Sequence, residues 1–192
     1  KKHLAGYHMG HYKLLAWQHV EYATIQLLDA DLLPVNNLDP LFSLTKAFNT
    51  EVVACPGKVA PLNAGWVLIR PSLSTYEGLL KTLDIMKRTN RDAPYGHAMT
   101  TPWRAATGAA GGSDWRFFDV FGNQGHMYDY FRFEAKSLSV ITQSTQNGTR
   151  VFAYGADERI LDELPSVLDA AFPCPFPVRG KRAPSGLAYH HF

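Results

Sequence analysis

"ATIQLLDADLLPV", residues 23–35, is the stretch whose reading decides the fold. Ile25, Leu27 and Leu28 form a short aliphatic run, which predicts a buried strand. The run ends on two carboxylates, Asp29 and Asp31, two residues apart. An unpartnered carboxylate in apolar surroundings is costly, so the pair requires something positive, and one cation serving both is the simplest answer. Side chains two apart on a strand share a face, so both can approach that cation if the extended geometry continues through Asp31. Hard oxygen donors suit Mn²⁺ or Mg²⁺, ions that bridge to substrate phosphates. An Asp-x-Asp by itself describes two solvated carboxylates at a strand end equally well. The rest of the chain has to decide between them.

Upstream, "YKLLAWQHVEY" at 12–22 predicts a helix, with Leu14, Trp17 and Val20 stepping by three among good helix formers. Downstream, "VNNLDPLF" is turn chemistry leading into a short helical turn near 39–42. "EVVAC" at 51–55 and "GWVLIR" at 65–70 are short, apolar and bounded by Pro and Gly, so they read as further buried strands. A helix follows, striped by Leu73, Tyr76, Leu80, Leu83 and Met86 or Lys87, with Ser74 and Glu77 at capping-box spacing. Residues 89–116 are rich in Gly, Ala, Pro and Thr and lack a period, which reads as a long loop, functional or mobile. Two more helices are expected, one beginning within "GNQGHMYDYF" at 122–131 and one around 157–172, split at Pro165. The tail from 173 is irregular, proline-rich and basic. Strands apolar on both faces, alternating with helices, indicate one α/β domain without internal repeats.

The chain has 192 residues, 46% of them hydrophobic, enough for a sizeable core in one domain. A formal charge of +2, from scattered Lys and Arg, argues against nucleic-acid binding and against electrostatic attachment to an anionic membrane. A negative ligand must be met by a local site. Cys55 and Cys174 make neither a disulfide framework nor a zinc motif, and Cys55 reads as a small core residue. No run approaches the length of a membrane span. The sequon Asn147-Gly148-Thr149 is a weak pointer to a secretory compartment. His3, His8 and His11 have no standard ligand spacing and read as surface or packed residues, and His190 as structural or solvent-facing.

Four ordered motifs narrow the function: "YKLLAWQHVEYATIQLLDADLLPVNNLDPLF" with its Asp-x-Asp, "LNAGWVLIRPS" with Asn-x-Gly, "GNQGHMYDYF" with Gln-Gly at a helix start, and the terminal "HHF". Together they resemble glycosyltransferase family 8, the family of glycogenin and galactinol synthase, from about Tyr12 to Phe192. The 89–116 loop and the 143–185 stretch match poorly. The resemblance implies a GT-A (Rossmann-like) fold, a mixed sheet flanked by helices. It also implies a nucleotide-sugar donor, typically a UDP-sugar, Mn²⁺ with Mg²⁺ as the alternative, and transfer with retention to a carbohydrate, polyol or protein hydroxyl. By that resemblance Asp29 and Asp31, with Ala30 between them, hold the cation against the diphosphate, and His191 is a further metal ligand. Lys13 faces the donor phosphates or sugar. Asn63, Ala64 and Gly65 contact the donor sugar, and Gln124 lies near the reacting carbon.

The departures from the family pattern matter too. Asn123 stands where many members have Asp before Gln-Gly, which disfavours a covalent glycosyl-enzyme and favours same-face attack guided by the leaving phosphate. Asp119 is close enough in sequence to supply a sugar contact or a base. Ala64 replaces the family's Ser. The family's first strand-helix-strand unit has no counterpart before Lys1, and the continuation after His-Phe lies beyond Phe192. Residues 1–192 are therefore expected to be a single GT-A domain truncated at both ends, with any membrane anchor upstream and the compartment either cytoplasm or Golgi lumen. Two other readings compete: a family 8-like binding or scaffold protein without catalysis, and an Asp-x-Asp phosphatase, which Leu33 and the lack of a later paired-Asp motif disfavour.

Overall fold

The inner strands β3 (Val52–Cys55) and β4 (Asn63–Ile69) are buried almost throughout, as runs without polar alternation should be. The computed structural model describes residues 9–34, 37–56, 62–88, 123–144, 150–157, 159–163 and 189–191. Successive side chains of the two strands point into two cores. Val52, Ala54, Val67 and Ile69 face one, packed by a 3-10 helix (Met9–Gln18), α2 (Leu73–Arg88) and α3 (Asn123–Asp129). Val53, Cys55, Trp66 and Leu68 face the other, where Leu41 and Leu44 cover them. Leu41 belongs to a 3-10 turn (Asp39–Ser43) and Leu44 opens α1 (Leu44–Ala47).

β1 (Ile25–Leu28) pairs antiparallel with β4, β4 antiparallel with β3, and β3 parallel with β5 (Leu138–Ser144). β6 (Arg150–Gly155) and β7 (Ile160–Glu163) continue the sheet antiparallel, so its order is β1-β4-β3-β5-β6-β7. A separate two-stranded ribbon joins β2 (Leu32–Pro34) to β8 (Tyr189–His191). The architecture is the expected one, a mixed α/β sheet flanked by helices. Among the described residues no helix is long and apolar enough to cross a membrane.

Several expectations are corrected. The helix at 12–22 is a 3-10 helix that ends at Gln18. In a 3-10 helix residues three apart eclipse, and His11, Leu14 and Trp17 are all buried, whereas Val20, beyond its end, is exposed. β1 is half-buried rather than buried, because among the described strands it lies at one end of the sheet. Ser72, not Ser74, caps α2: its Oγ accepts the backbone N–H of Thr75 at 3.3 Å. The buried stripe of α2 runs through Tyr76, Leu79 and Leu83, and Leu73 is exposed. Of the helix expected at 157–172, residues 160–163 are strand β7, stabilised by pairing with β6, Asp157 and Arg159 lie in the turn before it, and 158 and 164–172 lie outside the described residues. The tail is not irregular throughout, since 189–191 form β8. Cys55 is buried as expected but is disulfide-bonded, and the chain's other cysteine lies outside the described residues. The loop at 89–116 lies outside them as well.

α3 runs directly into a π turn, Tyr130–Glu134, which brings Phe131 onto Trp17 with ring centroids 5.6 Å apart and planes at 22°. The same turn sets Tyr130 against α2. A Cβ at Gly78 would come within 2.8 Å of Tyr130 Cζ and 2.9 Å of Cε2. Alanine in a helix interior normally gains about 1 kcal/mol over glycine. Here overpacking, at about 1–3 kcal/mol, outweighs that gain. Gly78→Ala is therefore expected to lower the urea midpoint; a raised midpoint would show that Tyr130 yields freely.

Candidate active site

Antiparallel pairing sets the carboxyl end of β1 beside the amino end of β4, with Leu28 opposite Trp66. One residue on, the backbone N–H of Asp29 donates to the carbonyl of Gly65 at 2.9 Å. The chain then turns: the carbonyl of Asp29 accepts the N–H of Leu32 at 3.1 Å, closing a turn over Asp29, Ala30, Asp31 and Leu32. The extended geometry thus stops at Leu28, and the two carboxylates do not share a strand face. Nor are they buried. The Asp29 side chain is 44% exposed, and Ala30 and Asp31 are exposed.

Asp29 has a positive partner within the chain. The ammonium of Lys13, on the 3-10 helix, hydrogen-bonds Asp29 Oδ1 and donates to the carbonyl of Ala64 at 2.6 Å. An ion pair this open to solvent contributes about 1 kcal/mol or less, so its significance is positional. The Ala64 peptide is held at its other end as well, where its N–H donates to Gln124 Oε1 at 3.3 Å. Asn63 Oδ1 accepts the N–H of Gly65 at 2.6 Å. Gly65 is required by crowding: a Cβ there would sit 2.7 Å from Asn63 Oδ1 and 3.0 Å from Asp29 Oδ2.

Four segments distant in sequence therefore meet around the peptides of residues 63–65. Lys13, Asp29, Asn63, Ala64, Gly65 and Gln124 are brought together. Asp31 stands on the same turn as Asp29 but makes none of these contacts. Asn123, 6% exposed, is the first residue of α3. Asp119 lies outside the described residues. For His191 only the backbone is described: it pairs with Leu32, next to Asp31, so the β2–β8 ribbon carries the histidine to the edge of the turn. Among the described residues no group of three His, Cys, Asp or Glu side chains is gathered in one place. The two carboxylates at this turn are the hard oxygen donors that a divalent cation such as Mn²⁺ or Mg²⁺ would take, with Asp29 already paired to Lys13.

Behind the site lies a feature that sequence reasoning missed. His11 and His126, each two residues from a site residue on its own helix, are buried with ring centroids 5.7 Å apart. His126 Nε2 donates to the carbonyl of Leu79 at 3.1 Å, while its Nδ1 is buried without a hydrogen-bond partner. Burial, with His11 nearby, pushes the His126 imidazole down to about 3. Spacing alone cannot reveal this, because "GHM" at 125–127 has no polar pattern distinguishing a buried histidine from an exposed one. An open cavity of about 560 Å³, lined by Phe48, Arg132, Lys136 and Ser139 among others, lies at the opposite end of the sheet, where β3 and β5 begin. It does not reach Asp29.

No family profile matches the chain. Individual proteins do. The chain is 32% identical to galactinol synthase 2 of Solanum lycopersicum over 45% of its own length and 35% of that protein's. It is 32% identical to galactinol synthase 4 of Arabidopsis thaliana, over 43% and 34%. A putative UDP-glucuronate:xylan alpha-glucuronosyltransferase 3 of Arabidopsis thaliana is 29% identical over 47% of this chain and 14% of that protein. The match thus spans about a third of the length of the galactinol synthases. Over the matched part the chain is similar in overall sequence to these family 8 glycosyltransferases.

Two outcomes are expected from this geometry. The folded chain keeps His126 neutral, whereas the unfolded chain binds a proton below the ordinary value of 6.5. Stability is then complete above pH 6.5 and falls as pH drops toward about 3, by up to about 1.4 kcal/mol per pH unit from this residue. Urea denaturation from pH 7 to pH 4 should show a shallower loss in His126→Phe than in the wild type; parallel curves would discount the residue. Gly65→Ala should displace the Asp29 carboxylate while leaving the sheet folded. The clash is expected to lower the urea midpoint by an amount equivalent to about 1–3 kcal/mol, with the native circular dichroism spectrum unchanged.

Proposed function

We propose that the protein is a glycosyltransferase that moves a sugar from a nucleoside-diphosphate donor, in the first instance a UDP-sugar, to an acceptor hydroxyl with retention, assisted by Mn²⁺ or Mg²⁺. The observation that carries this reading is the convergence of Lys13, Asp29, Asn63, Gly65 and Gln124 from four separate segments onto one sheet end. The similarity to galactinol synthases and to a glucuronosyltransferase supports the same class of reaction. In this reading Asp29, Asp31 and His191 hold the cation. When bound, a divalent cation supplies charge neutralisation for the departing diphosphate without proton transfer.

The chain's own residues do the rest. Lys13 offers its ammonium to the phosphates or sugar, and Asn63 with the Gly65 backbone orients the sugar hydroxyls. Gln124, tied to the Ala64 peptide, lies toward the reacting carbon. Asn123 is uncharged, so retention proceeds by attack of the acceptor on the face the diphosphate leaves, its proton passing to the departing phosphate oxygen. Asp119 remains a candidate sugar contact or base. A carbohydrate, polyol or protein hydroxyl serves as acceptor, and no nucleic acid takes part.

The test is hydrolysis and transfer from UDP-glucose, UDP-galactose and UDP-glucuronate, with and without Mn²⁺, comparing wild type with Asp31→Ala. Turnover that needs Mn²⁺ and falls roughly 100-fold or more in the variant is the expected result. Equal turnover in both proteins would remove the metal role of Asp31. Complete inactivity of the wild type with every donor would favour a binding protein of the same fold.

A further inference from the structure

Resting on the reading above, in which a divalent cation binds at Asp29, we infer that Lys13 is a resident counter-cation that makes metal affinity depend on the donor diphosphate. The Lys13 ammonium occupies Asp29 Oδ1 and the carbonyl of Ala64. The other carboxylate oxygen faces β4, since a Cβ on Gly65 would lie 3.0 Å from Asp29 Oδ2. A cation that reaches Asp29 on the side of Oδ1 must share or take the oxygen that Lys13 holds. Sharing sets an ammonium and a divalent ion within a few ångströms of each other, an unfavourable pairing even where solvent screens it.

The backbone of Lys13 cannot retreat, because its neighbours anchor the 3-10 helix: His11, Leu14 and Trp17 are buried in the core. The side chain can move, being unbranched and 23% exposed. Moving it costs two acceptors, the Asp29 carboxylate and the Ala64 carbonyl. A bare metal ion offers nothing in return, whereas a diphosphate offers anionic oxygens to which the ammonium can transfer. Metal and diphosphate then bind with positive coupling, and linkage makes that coupling reciprocal. Lys13 acts here as a positioning and gating residue, distinct from the groups at the reacting carbon.

The experiment measures Mn²⁺ dissociation constants by electron paramagnetic resonance of free Mn²⁺, with and without UDP. The proteins are the wild type, Lys13→Met and Lys13→Arg. Lys13→Met should bind Mn²⁺ alone about fivefold more tightly than the wild type, the factor a solvent-exposed ion pair supports. The enhancement of Mn²⁺ binding by UDP should shrink by at least the same factor. Lys13→Arg retains the charge and should behave as the wild type. Unchanged or weaker Mn²⁺ binding in Lys13→Met without UDP, or equal tightening in both variants, would overturn the gating role while leaving the metal site intact. If Asp29→Asn and Asp31→Ala both bind Mn²⁺ as the wild type does, the metal site itself falls, and the gating role with it.

Discussion

The antiparallel register between β1 and β4 is the constraint on which the rest of the site depends. It places the N–H of Asp29 on the carbonyl of Gly65 and so fixes where the carboxylate begins. Because Gly65 has no side chain, that carboxylate can lie against β4 and still present one oxygen to Lys13. A shift of one residue would reverse the alternation of β1 and carry Asp29 off this edge. The hydrophobic side of the arrangement enforces the same register. Val67 and Ile69 must face the core built by the 3-10 helix, α2 and α3, while Trp66 and Leu68 face the other.

The 3-10 helix completes the constraint from above the sheet. Its period of three buries His11, Leu14 and Trp17 along one line. Lys13, next to Leu14, is left at the margin of that line, in reach of the β1–β4 end. Trp17 stacks on Phe131 of the π turn, and that turn continues from α3, which carries Gln124. One aromatic contact therefore links the helix that positions Lys13 to the helix that positions Gln124. The buried histidines 11 and 126 form a second link between the same two elements.

How much of this was legible depended on whether a local pattern had a single structural meaning. The runs at 51–55 and 65–70 could be read as strands because both faces are apolar, and β3 and β4 follow closely. The helix after Pro71 was legible from its stripe, although its cap was misplaced by two residues. Asp-Ala-Asp was not legible as a turn: two carboxylates after an aliphatic run look the same whether the strand continues or the chain reverses. What decides is the ribbon between β2 and β8, a pairing across more than 150 residues that no local window contains. The segment around Ile160 misleads for a related reason. Its Leu and Glu residues favour a helix, but pairing with β6 holds Ile160–Glu163 extended.

The same distinction between side chain and backbone settles what the departure at residue 64 means. Judged by sequence, Ala64 has lost a hydroxyl that the resemblance leads one to expect there. In the fold, the functional groups of this residue are its peptide atoms. The N–H is taken by Gln124 and the carbonyl by Lys13, while the residue itself is 2% exposed. A hydroxyl there would need a partner inside a packed core, and none of the four polar groups around the 63–65 peptides depends on one. Alanine is therefore compatible with an intact hub. Position 65 is the stricter one, because any side chain there must push aside Asn63 Oδ1 or Asp29 Oδ2. The identity of this site is written in the backbone geometry of residues 63–65, to which the charged residues at 13 and 29 are fitted.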